Sequence, residues 1–462
     1  MNRYSVLLLT ALALPVSGLA QTTGKWTPDW QVLNRHKAPG WILDAKIGIQ
    51  YVGEPMNLDD YQNWHWGRSA ERYRELGSPA PEANAQELLK QFALVGKLPY
   101  VWVNEPVKDP DAVLAQYKEL GARFVVSMLS AAYPGTEGLL MEQAEVDAAR
   151  RQGLKVGVHY NLLHREKLPA IGDPGYVPWF HKRLAAEVEK VESDFVFFDG
   201  CQASSSYFRS AEFLAWYYNW ADRIGKQVWV NDDLGTDKQE TGEFGDLVDH
   251  ESFTVDGISP KPWINWDILR NQWTCWINEF GVHKMTGKKW AWQYKPVPDL
   301  MLIMLDTISK GGVWLVQMDN TKQSWENMRE IGAWLKVNGE AIYGTRPYGT
   351  PAARMVRLPV KSTMPKGANT WWWQFEASVK VARGAGPLYY TRKGGTLYAI
   401  HYGWPETSIS IPGVRPKPGA KIRMVGIDRD LTWRQDGGRL VIDPPAGTPP
   451  CKYAYSFRIP IE

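Results

Sequence analysis

The chain has 462 residues, with 53 Lys and Arg against 50 Asp and Glu for a net charge of +3. That length exceeds one compact domain, and a near-neutral balance without a basic tract argues against nucleic acid as a partner. Cys201, Cys275 and Cys451 are too few and too widely spaced for a disulfide framework or a metal-binding pair, whereas 24 Trp offer flat faces for sugar rings and make carbohydrate the leading substrate class.

The first twenty residues read as a secretory signal. Arg3 precedes an apolar run from Val6 to Leu14, and Gly18-Leu19-Ala20 supplies a small-residue cleavage site before Gln21. The expected destination is the periplasm or the cell exterior, since no later segment is long and uncharged enough to span a membrane.

From Trp41 to Thr345 a β-rich apolar segment followed by an amphipathic one recurs. The predicted strands are Ile47–Tyr51, Phe124–Leu129, Val156–Tyr160, Phe195–Phe198, Val228–Val230, Leu247–Val248, Thr274–Ile277 and Val313–Val316. Predicted helices between them are Asp111–Leu120, Met141–Gln152, Trp179–Val191, Ala211–Ile224, Asp299–Ser309 and Trp325–Val337. Eight βα units close a parallel barrel, and no Gly-rich phosphate loop follows the first strand to favour a doubly wound open sheet. Past Arg346 short alternating segments punctuated by Gly and Pro, among them Thr396–His401, Ser408–Ile411, Lys421–Val425, Arg439–Ile442 and Tyr453–Ile461, predict an antiparallel sandwich. The expected organisation is a signal over 1–20, a (β/α)8 barrel over 21–345 and a C-terminal β-sandwich over 346–462.

In such a barrel the residues after each strand share one mouth. The fourth strand gives the sharpest signal: Phe195-Val196-Phe197-Phe198 ends in Asp199-Gly200, a carboxylate at the tip of an apolar run. A capping Asp in a strand-to-helix loop is the competing reading of that segment alone. Around it the strand ends supply Gln50, His159, Asn161, Asn231, Asp232, Asp233, Asp249, His250, Glu251, Asn278, Glu279 and Gln317. Two carboxylates facing each other between aromatic walls suit glycoside hydrolysis, one attacking the anomeric carbon and the other protonating the leaving oxygen. Asp199 and Glu251 are the first pair, with Glu279 the competitor for the second place and Glu243 and Asp233 also in range. Gln50, Tyr51, Tyr133, His159, Tyr160, Asn231, Asp233 and Trp276 are the expected sugar contacts. No His-x-x-x-His or carboxylate triad points to a metal, no cofactor motif is present, and the oligomeric state is open.

Several segments carry a family resemblance. Asp44-Ala45-Lys46-Ile47-Gly48-Ile49, Gly121 to Val126, Gly153 to Gly157, Phe198-Asp199-Gly200, Ser309 to Gly312 and Asn338 to Pro347 resemble, in this order, segments of the α-L-fucosidases of glycoside hydrolase family 29. Thr391–Pro405 is similar to that family's C-terminal β domain. The resemblance implies a metal-free retaining exo-glycosidase whose nucleophile is Asp199. It also implies an altered sugar pocket. The family's His-Trp-Gly after the first strand is here Gln50-Tyr51-Val52, and its Lys-His-His-Asp-Gly run is Ser130-Ala131-Ala132-Tyr133-Pro134. Its Asn-Asp-Arg is Asn231-Asp232-Asp233, and its Trp-Glu-Thr-Cys is Gln272-Trp273-Thr274-Cys275. A pocket built for particular hydroxyls discriminates strongly when partners change, so the expected substrate is a terminal fucose-like sugar that need not be plain fucose. The reading from another class is a non-catalytic carbohydrate-binding protein on a degenerate glycosidase barrel.

Overall fold

Apolar β-branched and aromatic runs form the parallel strands β1 Ile47–Gln50, β2 Phe124–Ser130, β3 Lys155–Asn161, β4 Phe195–Asp199, β5 Trp229–Val230, β6 Val248–Asp249, β7 Trp263–Ile268 and β8 Gly312–Gln317. The computed structural model describes residues 24–53, 107–130, 141–161, 175–199, 203–238, 243–251, 254–255, 257–269, 294–318, 321–349, 375–376, 378–380, 382–383 and 386–462. Lateral order is β5-β4-β3-β2-β1-β8-β7-β6, which brings the first and last members of the list together as a ring. That last seam has little ladder. A single parallel bridge, Asn231 to Leu247, is reinforced by carboxylates: Asp246 accepts from the Val230 amide at 3.0 Å and Asp232 from the Asp249 amide at 2.8 Å.

The helices are α1 Trp30–Leu33, α2 Gly40–Ala45, α3 Pro110–Glu119, α4 Gln143–Arg151, α5 Tyr176–Lys190, α6 Ser205–Phe208, α7 Ser210–Arg223, α8 Val297–Ser309 and α9 Lys322–Asn338. Local sequence starts them. Asp109 caps α3 ahead of Pro110, a capping box of Glu142 and Glu145 opens α4, and Thr321 caps α9. All six long helices fall where the apolar spacing predicts them.

Strand seven is the correction. It is Trp263–Ile268, whereas Thr274–Ile277 lies outside the described residues. The segment hides from a hydropathy reading because two of its outward positions, Asn265 and Asp267, are polar. Asn265 donates to the Thr307 hydroxyl of α8 at 3.0 Å, and Asp267 forms a buried ion pair with Lys295 at 2.5 Å. Polar groups paired with residues on or beside the covering helix replace the apolar run expected of a buried parallel strand.

The barrel interior is filled by Phe124, Phe195, Phe197, Trp229, Leu247, Ile264, Trp266 and Leu315. Two glycines admit these rings. A Cβ at Gly48 would lie 2.0 Å from the Phe124 ring, and one at Gly157 2.3 Å from Phe195. The alternate residues, among them Ile49, Val158, Val196 and Val316, join the larger core beneath the helices.

Beyond α9, β9 Arg346–Pro347, β10 Leu388–Lys393, β11 Thr396–Tyr402, β13 Arg423–Met424 and β16 Ala454–Pro460 form a five-stranded sheet in the order β13-β16-β11-β10-β9. A three-stranded sheet, β12-β15-β14, pairs β12 Ile409–Pro412 and β14 Trp433–Asp436 with β15 Arg439–Ile442. The two-residue turn Gly437-Gly438 joins β14 to β15 with positive φ at both residues, 54° and 81°, the twist that tight hairpins require. The two sheets enclose their own core of Leu397, Ile411, Ile422, Leu440 and Phe457. The larger sheet meets the barrel through the Trp334 indole, which donates to the Ala454 carbonyl at 2.7 Å, and the Thr391 hydroxyl, which donates to the Ala341 carbonyl at 2.6 Å.

Candidate active site

Side chains alternate along each strand, so one parity faces the barrel axis and the other the helices. Phe195 and Phe197 lie in the interior cluster, which puts Asp199 on the inward face at the C-terminal end of β4. By the same parity His159 follows Gly157, Gln50 follows Gly48, Asp249 follows Leu247, and Gln317 follows Leu315. These side chains converge on one mouth. Asp199 opens to it, with its side chain 22% exposed.

Asn231 fixes the strand that carries Asp199. Its side-chain amide accepts from the Phe198 amide and donates to the Phe198 carbonyl, both at 2.8 Å, so the peptide just before Asp199 is clamped from β5. A sugar contact was expected of Asn231 from its strand-end position. The amide instead serves the backbone, a partner that sequence spacing does not display.

His159 is 1% exposed at the side chain and lies beneath Asp199, with Nε2 3.4 Å from Oδ2. Neither ring nitrogen makes a hydrogen bond with the described residues. The imidazole is held edge-on by Trp266 and Phe197, with centroids 4.7 and 5.5 Å away. These rings floor the mouth.

The remaining polar groups are carboxylates. Asp232 and Asp233 follow β5, Asp249 ends β6, and Glu251 follows it two residues later; all three aspartates are buried. Burial, and then the charges of Asp233, Glu251, Asp232 and Asp199, push the Asp249 carboxyl well above the usual carboxylate range. The Asp249 carboxyl thereby holds its proton more tightly than an ordinary carboxylate does. Pairs of carboxyls driven apart in protonation are the arrangement that acid and base roles need. No group of His, Cys, Asp and Glu among the described residues has the geometry to hold a metal ion.

Parity separates the other expected contacts. Tyr51 and Tyr160 are fully buried on the outward face, where the Tyr51 hydroxyl donates to Glu145 at 2.7 Å and the Tyr160 ring stacks on Phe180 at 5.3 Å. They pack the barrel against its helices, and only their inward neighbours Gln50 and His159 reach the mouth. Trp263 likewise faces outward, its indole donating to the Lys310 carbonyl at 3.2 Å. Tyr133, Trp276 and Glu279 lie outside the described residues, as does the expected signal over 1–20. The loop after Glu251 is tied at Thr254, whose hydroxyl donates to Asp306, itself paired with Lys310 at 2.6 Å. The raised acid, Asp249, was readable only as one of several strand-end polar residues; its burial among carboxylates is a property of the assembled ring.

A parallel eight-stranded barrel with carboxylates at its C-terminal mouth, followed by antiparallel sheets, is an architecture that glycoside hydrolases use. The α-L-fucosidase family model matches residues 140–340, which contain Asp199, Asp249 and Glu251, and the α-L-fucosidase C-terminal domain model matches 384–460. Tissue α-L-fucosidase of Rattus norvegicus is 22% identical, over 99% of this chain and 96% of its own length; that of Mus musculus is 23% identical over 94% of each. The crystal structure of Thermotoga maritima α-fucosidase in complex with fucose superposes with a TM-score of 0.58 at 17% identity, covering 94% of this chain and all of that one. The chain is a glycoside hydrolase of the α-L-fucosidase family.

Proposed function

We propose that the protein is a secreted or periplasmic retaining exo-glycosidase that removes a terminal fucose-like sugar from a glycan or polysaccharide. The observation that carries this reading is Asp199, the inward carboxylate at the tip of β4, partly exposed and in electrostatic contact with Asp249, which also feels the charge of Glu251. Asp199 attacks the anomeric carbon as Glu251 gives its proton to the departing glycosidic oxygen, and a glycosyl ester of Asp199 results. Glu251 then takes a proton from water, the water oxygen attacks the same carbon, and the ester bond breaks with net retention. Among the described residues no helix is long and apolar enough to cross a membrane, which is compatible with export of the whole chain.

A panel of aryl α-L-fucoside, α-L-galactoside and β-D-arabinopyranoside tests the substrate class, because these share most ring stereochemistry and differ chiefly at C5. Hydrolysis with retention, followed by NMR of the first-formed anomer, is expected. An inverted product, or an Asp199→Asn protein with undiminished turnover, would overturn the mechanism. Glu251→Ala should slow natural leaving groups far more than activated aryl ones, with azide restoring turnover of the latter.

A further inference from the structure

Asp249 has no evident part in the two chemical steps, yet it occupies the centre of the mouth's charge. It is 6% exposed, lies on the inward face of β6, and its Oδ1 has no hydrogen-bond partner among the described residues. The groups acting on it come from three strand ends: Asp199 from β4, Asp232 and Asp233 from β5, and Glu251 beyond β6. From β7 the packed neighbours are apolar, with Ile264 directly opposite in register. The nearby cation, Lys261, acts on Asp232 and Asp246 and donates to the Phe244 carbonyl, and it does not figure among the charges felt by Asp249. His159, outside this carboxylate group, faces Asp199, with Nε2 3.4 Å from its carboxylate.

Buried polar atoms without partners are costly and uncommon, and the inward position of Asp249 Oδ1 at the mouth makes a ligand group its missing partner. An ionised carboxylate only accepts hydrogen bonds, whereas a carboxyl that keeps its proton also donates one. We propose that Asp249 is a specificity-determining residue that donates its carboxyl proton in a hydrogen bond to a hydroxyl oxygen of the sugar seated on Asp199. Asp249 then presents the sugar with a hydrogen-bond donor from β6, and the substrate class it selects is a polyhydroxylated pyranoside with a hydroxyl directed at β6. This rests on the exo-glycosidase reading above. No bond is made or broken at Asp249, and its proton stays on the carboxyl throughout.

The test uses the full-length protein and whichever aryl glycoside of the panel it hydrolyses, together with analogues lacking one ring hydroxyl each. Asp249→Asn, which keeps a neutral donor of similar shape, should hold kcat/KM within about fivefold of wild type, whereas Asp249→Ala should raise KM about tenfold or more with a smaller change in kcat. One deoxy analogue should lose about tenfold in the wild type and less than about twofold in Asp249→Ala, a coupling that a purely structural role would not produce. KM of the wild type should rise on the alkaline side as Asp249 ionises, and Asp249→Asn should flatten that limb. The proposal is overturned if Asp249→Asn is as impaired as Asp249→Ala in folded protein, or if no deoxy analogue couples to position 249. Absence of turnover across the whole panel, or full activity of Asp199→Asn, would instead overturn the exo-glycosidase reading, and this proposal with it.

Discussion

Strand β4 carries an aspartate at each end, and the two live in opposite surroundings. Asp194 precedes the strand at the N-terminal face of the barrel, 1% exposed at the side chain, with Lys155, Lys226 and Arg150 at 3.2, 3.4 and 3.5 Å and the Val156 amide donating at 3.0 Å. Asp199, five residues later, looks into a mouth where the neighbouring charged groups acting through Asp249 are other carboxylates. The first end neutralises its acid and holds the barrel together; the second concentrates like charge at a cost in stability. Barrels place stability at the N-terminal face and chemistry at the C-terminal one, and β4 runs from the first to the second.

The contrast breaks most visibly at Asp199. Replacement by Asn should lower kcat by about 10⁴-fold or more while the thermal midpoint stays within a few degrees, as the proposed role of nucleophile requires. Comparable turnover by the variant would remove the distinction between the two ends. At the other end Asp194→Ala should leave kcat per folded molecule intact and destabilise by about 3 kcal/mol in urea unfolding, since the Val156 amide and three cations lose their acceptor. The loss should stay at the low end for buried pairs because Arg150 and Lys155 reach solvent.

His181 on α5 sharpens the contrast from the helix layer. Burial lowers its pKa to about 4, with Nε2 2.9 Å from the Phe208 carbonyl. A folded-state pKa below the unfolded value means that the unfolded chain takes up the extra proton first, so stability is full above pH about 6.5 and falls as pH drops toward about 4. His181→Gln should remove roughly 2 kcal/mol of that acid-side loss without altering the pH dependence of kcat, as read by unfolding at a series of pH values.

Asp249 should give the smallest effect and the opposite sign. Its folded pKa is raised, so its contribution to stability is fully present below the unfolded value near 4 and is lost as pH rises toward the folded one. Asp249→Asn should therefore be more stable than wild type at pH 7, by about 1 kcal/mol, with the gap closing toward pH 4. A destabilised Asn variant at pH 7 would mean that the mouth carries its acids without strain.

Much of this was legible in the chain. Seven of the eight barrel strands, the six long helices, five of the sandwich strands and Asp199 at the tip of β4 all follow from local apolar spacing, because a buried parallel strand must be apolar and must end where a polar residue can reach solvent. Strand β7 escaped because Asn265 and Asp267 find partners on or beside α8, a compensation invisible without the neighbouring helix. Strand-end position alone makes sugar contacts of both Gln50 and Tyr51 and of both His159 and Tyr160, but adjacent residues of a strand face opposite sides, and only the packed sheet says which of each pair points inward.

By itself the sequence determined the repeating units, their order and the carboxylates available at their ends, since these depend on interactions within about one helical turn or one strand. The tertiary structure decided the rest. Ring closure between β5 and β6 set which acids share a mouth, made Asn231 a clamp for the Phe198 peptide, and buried Asp249 among four carboxylates. Desolvation and charge coupling act through space across strands far apart in the chain, so the protonation of a group at the mouth belongs to the assembled barrel.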